Sequence, residues 1–272
     1  MSESRNGTAY GALNPRVPSV ARMYDFFLGG KDNYLADRAA ARDVARRLPQ
    51  SGPLAVANRR MIARGVRAAV RSGVRQVVDL GGGLPTRPST LDAAREASGG
   101  VRVVLADHDP VVASHYRAFA PGDDVHVLEA DLHDTEQLLK KVDGLIELDR
   151  PALFVLGAVL HFVRAPVADE AAALVRERIV PGGHLLITHA TGTAAEPDIV
   201  RSVEEAYQRA SAPLTCRPED EIRALFGDLA LLDPGLTDVQ RWRGDSAPAR
   251  SGPGDPSGAG LRVVGALGVR AA

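Results

Sequence analysis

From Gly73 onward the chain reads as short unbroken apolar runs separated by stretches of helical period: VRQVVDL (74–80), VRVVLAD (101–107), VHVLEAD (125–131), PALFVLGAVLHF (151–162) and GHLLITHA (183–190). A strand with one wet face alternates apolar and polar residues, whereas a strand covered on both faces does not. Runs of the second kind with helices between them predict a doubly wound α/β parallel sheet. Two further runs, 229–242 and 261–270, close the pattern around the Gly/Pro/Ser-rich GDSAPARSGPGDPSGAG. That composition predicts a mobile loop over 244–259 and an antiparallel hairpin at one sheet edge.

Ahead of this series, residues 1–21 carry no periodicity and predict a flexible arm, followed by a helical cap or lid over 22–72 and the α/β domain over 73–272. Within the cap, helical patterns over 32–48 and 56–71 are split by PQSGP (49–53). The second displays Arg59, Arg60, Arg64, Arg67 and Arg71, with no interleaved aromatics, and reads as a solvated face. A net charge of −1 gives no pull toward nucleic acid or an anionic membrane. The single cysteine, Cys216, fits a reducing compartment, and the longest apolar run, 151–163, falls short of the roughly 20 residues that span a bilayer. These features predict a cytoplasmic protein without a nucleic-acid or membrane partner. No histidine and cysteine spacing suggests a metal site.

In an open α/β sheet, ligands bind beyond the carboxyl ends of the strands. The first such end here is DLGGGLPT (79–86), where Gly81, Gly82 and Gly83 let backbone approach a ligand closely. A dinucleotide fingerprint needs a third glycine at 86, which is Thr86. Asp79 would repel a pyrophosphate and suits a ligand carrying an ammonium and a sulfonium, such as S-adenosylmethionine. The second run ends in Asp107, followed by His108 and Asp109, and either acid could hold ribose hydroxyls. The third ends in Asp131-Leu132, where a carboxylate could accept from an adenine amino group, and Asp134 reads as a helix cap. Leu160-His161 ends the fourth, and Pro181-Gly182-Gly183 turns into the fifth. Taken in order, these features indicate a class I methyltransferase.

The sequence resembles the S-adenosylmethionine-dependent methyltransferase family common in actinomycetes and long classed as of unknown function. ARMYDFFLGGKDNYLADRAAA (21–41) is similar to its Tyr-Asp-x-x-Leu-Gly-Gly-Lys-x-Asn signature, and DLGGGLPT, ADHDP, LHF, THAT, DPGL and RWR to its later motifs. Gly82 stands where that family often has threonine. The resemblance implies a seven-stranded sheet with the last strand antiparallel and S-adenosylmethionine as cofactor, but supplies no substrate; the acceptor is expected to be a small molecule of secondary metabolism. On this reading Tyr24 to Tyr34 form a lid over the methionine end of the cofactor. Gly29-Gly30 turns the chain, Lys31 pairs with the carboxylate, and Phe26 and Phe27 pack the lid on the sheet. Leu132 and Leu160 belong to the expected cofactor-binding set with the residues above. The alternative for Lys31 is an exposed side chain on a purely structural segment.

Methyl transfer is an in-line displacement, and a general base near pKa 7 assists a protonated nucleophile. His161 and His189, after the fourth run and at the end of the fifth, are the candidates; His184 and His189 face opposite sides of a strand. Two other classes remain open at this point. A nicotinamide-dependent oxidoreductase would share the sheet and Asp107, and a non-catalytic S-adenosylmethionine-binding or regulatory protein would share the whole cleft. Oligomeric state, monomer or homodimer, is not encoded in any of these features.

Overall fold

The structure, a computed structural model, describes residues 14–120, 122–193, 195–243 and 260–271. Three helices lead: α1 (Val20–Phe27), α2 (Leu35–Arg47) and α3 (Ser51–Arg71). The α/β series follows as β1 (Gln76–Leu80), α4 (Thr90–Ala97), β2 (Arg102–Asp107), α5 (Pro110–Phe119), β3 (Val125–Glu129), α6 (Thr135–Asp143), β4 (Leu153–Gly157), α7 (Ala165–Glu177) and β5 (His184–Thr191). Helices α8 (Pro197–Tyr207) and α9 (Glu219–Ala224) and strands β6 (Ala230–Leu231), β7 (Thr237–Asp238) and β8 (Arg262–Val269) complete it.

Local chemistry sets several helix starts. Ser89 and Asp92 form a capping box on α4, Asp109 caps α5 with Pro110 at its first position, and Asp134 caps α6 as expected. Pro53 lies inside the first turn of α3, where its missing N–H removes no helical bond. The helix therefore begins at Ser51, upstream of the sequence-based expectation.

The sheet runs β3-β2-β1-β4-β5-β8-β6, with β7 also on β8. The first five strands are parallel, and β8 is antiparallel to β5, β6 and β7. Alternate residues of one strand enter opposite cores. Val77, Val103 and Val155 pack with α3, α4 and α5, while Val78, Val104 and Phe154 pack with α6 and α7. Both faces are thus covered, which is why the runs do not alternate. Each fully buried side chain of this kind contributes about 1.5–3 kcal/mol.

Four expectations are corrected. Among the described residues the sheet has eight strands, because Pro234 and the left-handed Gly235 break 229–242 into two short pieces. The antiparallel pair expected at one sheet edge is present, with β8 between β5 and β6. The cap divides: α3 is a core helix whose Met61, Ile62, Val66 and Val70 pack on the sheet, so only α1 and α2 stand outside that core. The basic face of α3 is not simply solvated, since Arg59 is buried and Arg64 donates to the Trp242 and Val239 carbonyls. The expected arm ends before residue 21, because Ser19 is buried and α1 begins at Val20. Residues 1–13 and the loop expected over 244–259 lie outside the described residues. No helix among the described residues is long and apolar enough to cross a membrane.

Helix α1 is held by a buried ion network. Arg22 Nε donates to Asp37 Oδ2 at 2.8 Å and Nη1 to Asp109 Oδ2 at 3.0 Å, and Ser19 Oγ donates to the same Asp109 oxygen at 2.6 Å. Removing one partner of a buried pair leaves an uncompensated charge and costs about 3–5 kcal/mol. Arg22→Met is therefore expected to lower stability by that amount, read from the urea midpoint at unchanged slope.

Candidate functional site

Strand β1 pairs with β2 on one side and β4 on the other. Helix α4, leaving β1, packs on one face and α7, following β4, on the opposite one, so a crevice opens between the two connections. The turn after β1 floors it. Gly81 (φ +81°) and Gly83 (φ +64°) adopt the left-handed region, and the turn is tied at both ends. Gly81 N–H donates to the Ala106 carbonyl at 2.7 Å and Gly83 N–H to Asp107 Oδ2 at 3.0 Å. Arg59 of α3 donates to the Gly82 and Leu84 carbonyls at 3.2 and 3.4 Å.

The crevice widens into a cleft of about 160 Å³. Tyr24, Arg59, Asp79, the three glycines, Asp107, His108, Asp131 and Leu132 line it, with apolar walls from Ala106, Val159 and Phe162. Burial raises the Asp79 pKa to about 6, with the neighbouring Asp107 carboxylate adding to the rise against the pull of Arg59. Burial also raises Asp107, although His108 and the amides of Asp109 and Gly83 favour its charge. Asp107 accepts from only those two amides, leaving acceptor capacity free. Arg59 is buried with Nε unpartnered, and its guanidinium carbon sits 5.3 Å from the Tyr24 ring centroid. Asp131 is half exposed, and its Oδ1 is engaged by the His133 N–H and by His133 Nδ1 at 2.8 Å.

Other expected site residues fall elsewhere. Lys31 is exposed and Gly30 is outside the cleft. The signature around them organises the turn: the buried Asp25 carboxylate accepts from Asp32 N–H, from Asn33 Nδ2 and, at 2.6 Å, from Thr86 Oγ1 of the glycine turn. A Cβ on Gly30 would meet that carboxylate at 1.9 Å, which explains the glycine. Leu160 is a core residue packed between the sheet and α7. Asp109 serves Arg22 and the α5 cap, leaving Asp107 as the acid of the cleft. Phe26 and Phe27 pack around Met23, Ala41 and Val44. His161 lines a second, smaller cavity adjoining the cleft, and His189 is buried beside it, their rings 5.2 Å apart. Arg59 is the site residue that the sequence reading misplaced. Its position in the buried stripe Ala55, Arg59, Ile62, Val66 and Ala69 was the available signal. Among the described residues no group of three or more His, Cys, Asp or Glu is placed to hold a metal.

A family model for S-adenosyl methyltransferases matches residues 7–269. The chain belongs to the S-adenosyl methyltransferase family. This methyltransferase is similar in structure to a protein from Thermobifida fusca YX with a provisional methyltransferase assignment, 33% identical over 94% of this chain and 96% of that one, TM-score 0.85. It is similar also to a DUF574 family protein from Streptomyces avermitilis MA-4680, 30% identical over 93% and 98% of the two chains, TM-score 0.84. An O-methyltransferase family protein from Burkholderia thailandensis, 18% identical over 91% of this chain and 64% of that one at TM-score 0.51, shares the fold. A comparison with curated proteins finds no match.

The methyltransferase uses S-adenosylmethionine as its cofactor, and the cleft suits that molecule. The buried Asp79 carboxylate ends the strand and the buried Arg59 guanidinium reaches the turn from α3, two opposite charges to match an amino-acid end, while Asp107 offers free acceptor sites and much of the remaining wall is apolar. The turn also discriminates among its glycines. A Cβ on Gly81 would lie 2.4 Å from Val159 Cγ2, whereas one on Gly83 meets nothing closer than 3.9 Å. Gly83→Ala should therefore fold at a cost of about 1–2 kcal/mol from its positive φ alone. Gly81→Ala should cost more, because Val159 must also move, and denaturant unfolding of both variants checks the order.

Proposed function

We propose that this protein transfers a methyl group to a small-molecule acceptor, in the class expected of secondary metabolism. Asp107 holds the ribose hydroxyls of the cofactor, Asp79 its ammonium and Arg59 its carboxylate. Asp131, His108 and Leu132 lie where the adenine end would sit, and Tyr24 walls the cleft opposite the glycine turn. The observation that carries this reading is that Asp79 and Arg59, whose Nε is buried without a partner, line one cleft beside the glycine turn that Asp107 fastens. A dinucleotide pyrophosphate would meet two buried carboxylates there, which disfavours the oxidoreductase alternative.

S-adenosylmethionine supplies a methyl group on a positively charged sulfur, which an acceptor lone pair displaces in line. The chain's part is chiefly to orient and enclose. His161 Nδ1 accepts the Ala190 N–H at 3.2 Å, so the ring proton sits on Nε2 and no lone pair is free. Burial and the neighbouring His189 hold its pKa well below the ordinary value. His189 donates through Nδ1 to the Ala190 carbonyl at 2.7 Å, is fully buried, and burial lowers its pKa to about 4. Burial and lowered basicity weigh against both histidines as general bases, although His189 Nε2 has no hydrogen-bond partner. The acceptor's proton, where it has one, then leaves to water.

Calorimetry with S-adenosylhomocysteine and NAD tests the reading: the first is expected to bind and the second not, and the reverse would overturn it. Asp107→Asn should weaken S-adenosylhomocysteine by about ten- to a hundredfold. Affinity should also depend on pH. Above pH 6 Asp79 is ionised and attracts the ligand's ammonium. As pH falls through about 6 the free protein takes up a proton there, and affinity should drop by up to about tenfold per unit. Asp79→Asn should bind more weakly at pH 7.5 and show a shallower acid limb, the remainder coming from Asp107. A flat profile from pH 5 to 8 in the unaltered protein would remove Asp79 from the site.

A further inference from the structure

Beside the cleft, separated by Tyr24, Ala158 and Phe162, which line both spaces, lies a second cavity of about 80 Å³. Phe27, Leu54, Val203, Tyr207 and Leu214 form most of its apolar wall. Ala158, on the partition, holds φ at +55°, a conformation that a non-glycine residue keeps only when its surroundings enforce it, as they often do at ligand sites. Here the Ala158 N–H is fixed by the carbonyl and hydroxyl of Thr188 at 3.1 and 2.9 Å.

Two residues of its lining also carry polar atoms that the protein leaves unsatisfied. Tyr24 commits its hydroxyl proton to the Ala55 carbonyl at 3.0 Å and so accepts from Asn58 Nδ2 at 2.8 Å. That arrangement fixes the Asn58 amide and leaves its Oδ1 buried with no partner, although Asn58 is 1% exposed. Ser51 Oγ, in the same lining, is likewise unpaired. Buried polar groups in folded proteins are nearly always hydrogen-bonded, so these are sites awaiting a donor or acceptor.

We propose that this cavity is the methyl-acceptor pocket and takes a compact, uncharged, single-ring aromatic molecule whose N–H or O–H donates to Asn58 Oδ1. The proposal rests on the methyltransferase reading above. Among the described residues no Asp, Glu, Lys or Arg lines the cavity. Burial raises the pKa of Tyr24 and lowers that of His161, so both are neutral near pH 7. A charged acceptor would lose its hydration there with no counter-ion. The ring preference follows from the walls: Phe162 lies 4.5 Å from His161 and 5.4 Å from Tyr207, centroid to centroid, presenting aromatic faces and edges. The size preference follows from the volume. At about 80 Å³ it is roughly half the 150 Å³ of an apolar cavity that takes benzene, so a single ring enters only as Phe162 and Tyr207 turn aside, and a fused system does not fit.

The test uses the full chain with S-adenosylhomocysteine present and ligand-observed NMR on five probes: aniline, phenol, toluene, benzoate and benzylammonium. Aniline and phenol are expected to bind, toluene about tenfold more weakly for want of a donor, and the two ions not measurably. Asn58→Leu should erase the advantage of aniline and phenol over toluene. Leu214→Trp, which fills the cavity away from the glycine turn, should abolish probe binding while S-adenosylhomocysteine still binds. Equal binding of charged and neutral probes, no difference between phenol and toluene, or probe binding that survives Leu214→Trp would overturn the proposal. The product is titrated first. Its failure to bind would overturn the cofactor reading, and the probes would then be read on the free protein. Its binding without any response to aniline or phenol would overturn the acceptor pocket alone.

Discussion

The seating of α1 depends on one arginine placed between two buried carboxylates. Taking such charges out of water costs several kcal/mol per ion, recovered only where geometry and secondary hydrogen bonds are complete. Here they are nearly so. Arg22 spends its third donor on the Val17 carbonyl, Asp37 accepts the backbone N–H groups of Ser19 and Tyr34, and Asp109 also takes the Val111 N–H. The network joins α1, the start of α2 and the start of α5 in one fixed relation. Val20, Ala21 and Tyr24 project from α1 into the cleft, so the same ion cluster determines the cleft's width and, through Tyr24, the partition of the second cavity. A helix anchored this way walls the site.

Charge within the cleft is arranged against the empty state. Asp79 and Asp107 are both pushed toward neutrality by burial, and Asp79 feels Asp107 as a like charge. Arg59 relieves part of that strain while holding the glycine turn through two carbonyls. A ligand bringing a cation to one carboxylate and hydroxyl donors to the other removes the repulsion that the protein alone cannot. Selectivity between ligands of similar shape then follows from sign of charge, which geometry by itself would not provide.

Much of this could be read from the residues, for identifiable reasons. Unbroken apolar runs at strand length have few solutions other than a sheet covered on both faces, and acids at successive strand ends fall into one crevice by topology alone. What escaped was set by tertiary contact. Lys31 stands out in the sequence next to two glycines, yet it is exposed, and the neighbouring Asp25 carries the segment's role by bonding to Thr86. Arg59 looked like one of several arginines on a wet helix, because a charge count ignores the helical phase that puts it on the buried stripe. Leu160 and His161 are adjacent, but a single 3-10 turn sends one into the core and the other to the second cavity. The run 229–242 divides at Pro234 and Gly235, and periodicity does not encode that both pieces then pair with β8, a partner some thirty residues away.

The place of β8 has a consequence for how the chain is made. It pairs along its whole length with β5, from His184 opposite Val269 to Thr191 opposite Arg262, and it alone carries β6 and β7. On a ribosome β5 emerges well before β8, and through that interval one side of β5 presents open N–H and C=O groups while Val263, Val264, Ala266 and Leu267 have yet to cover their neighbours. An open edge on an apolar strand is a template for pairing with other chains. Among the described strands β8 is thus the last made, and the edge of β5 that it covers stays open until it emerges.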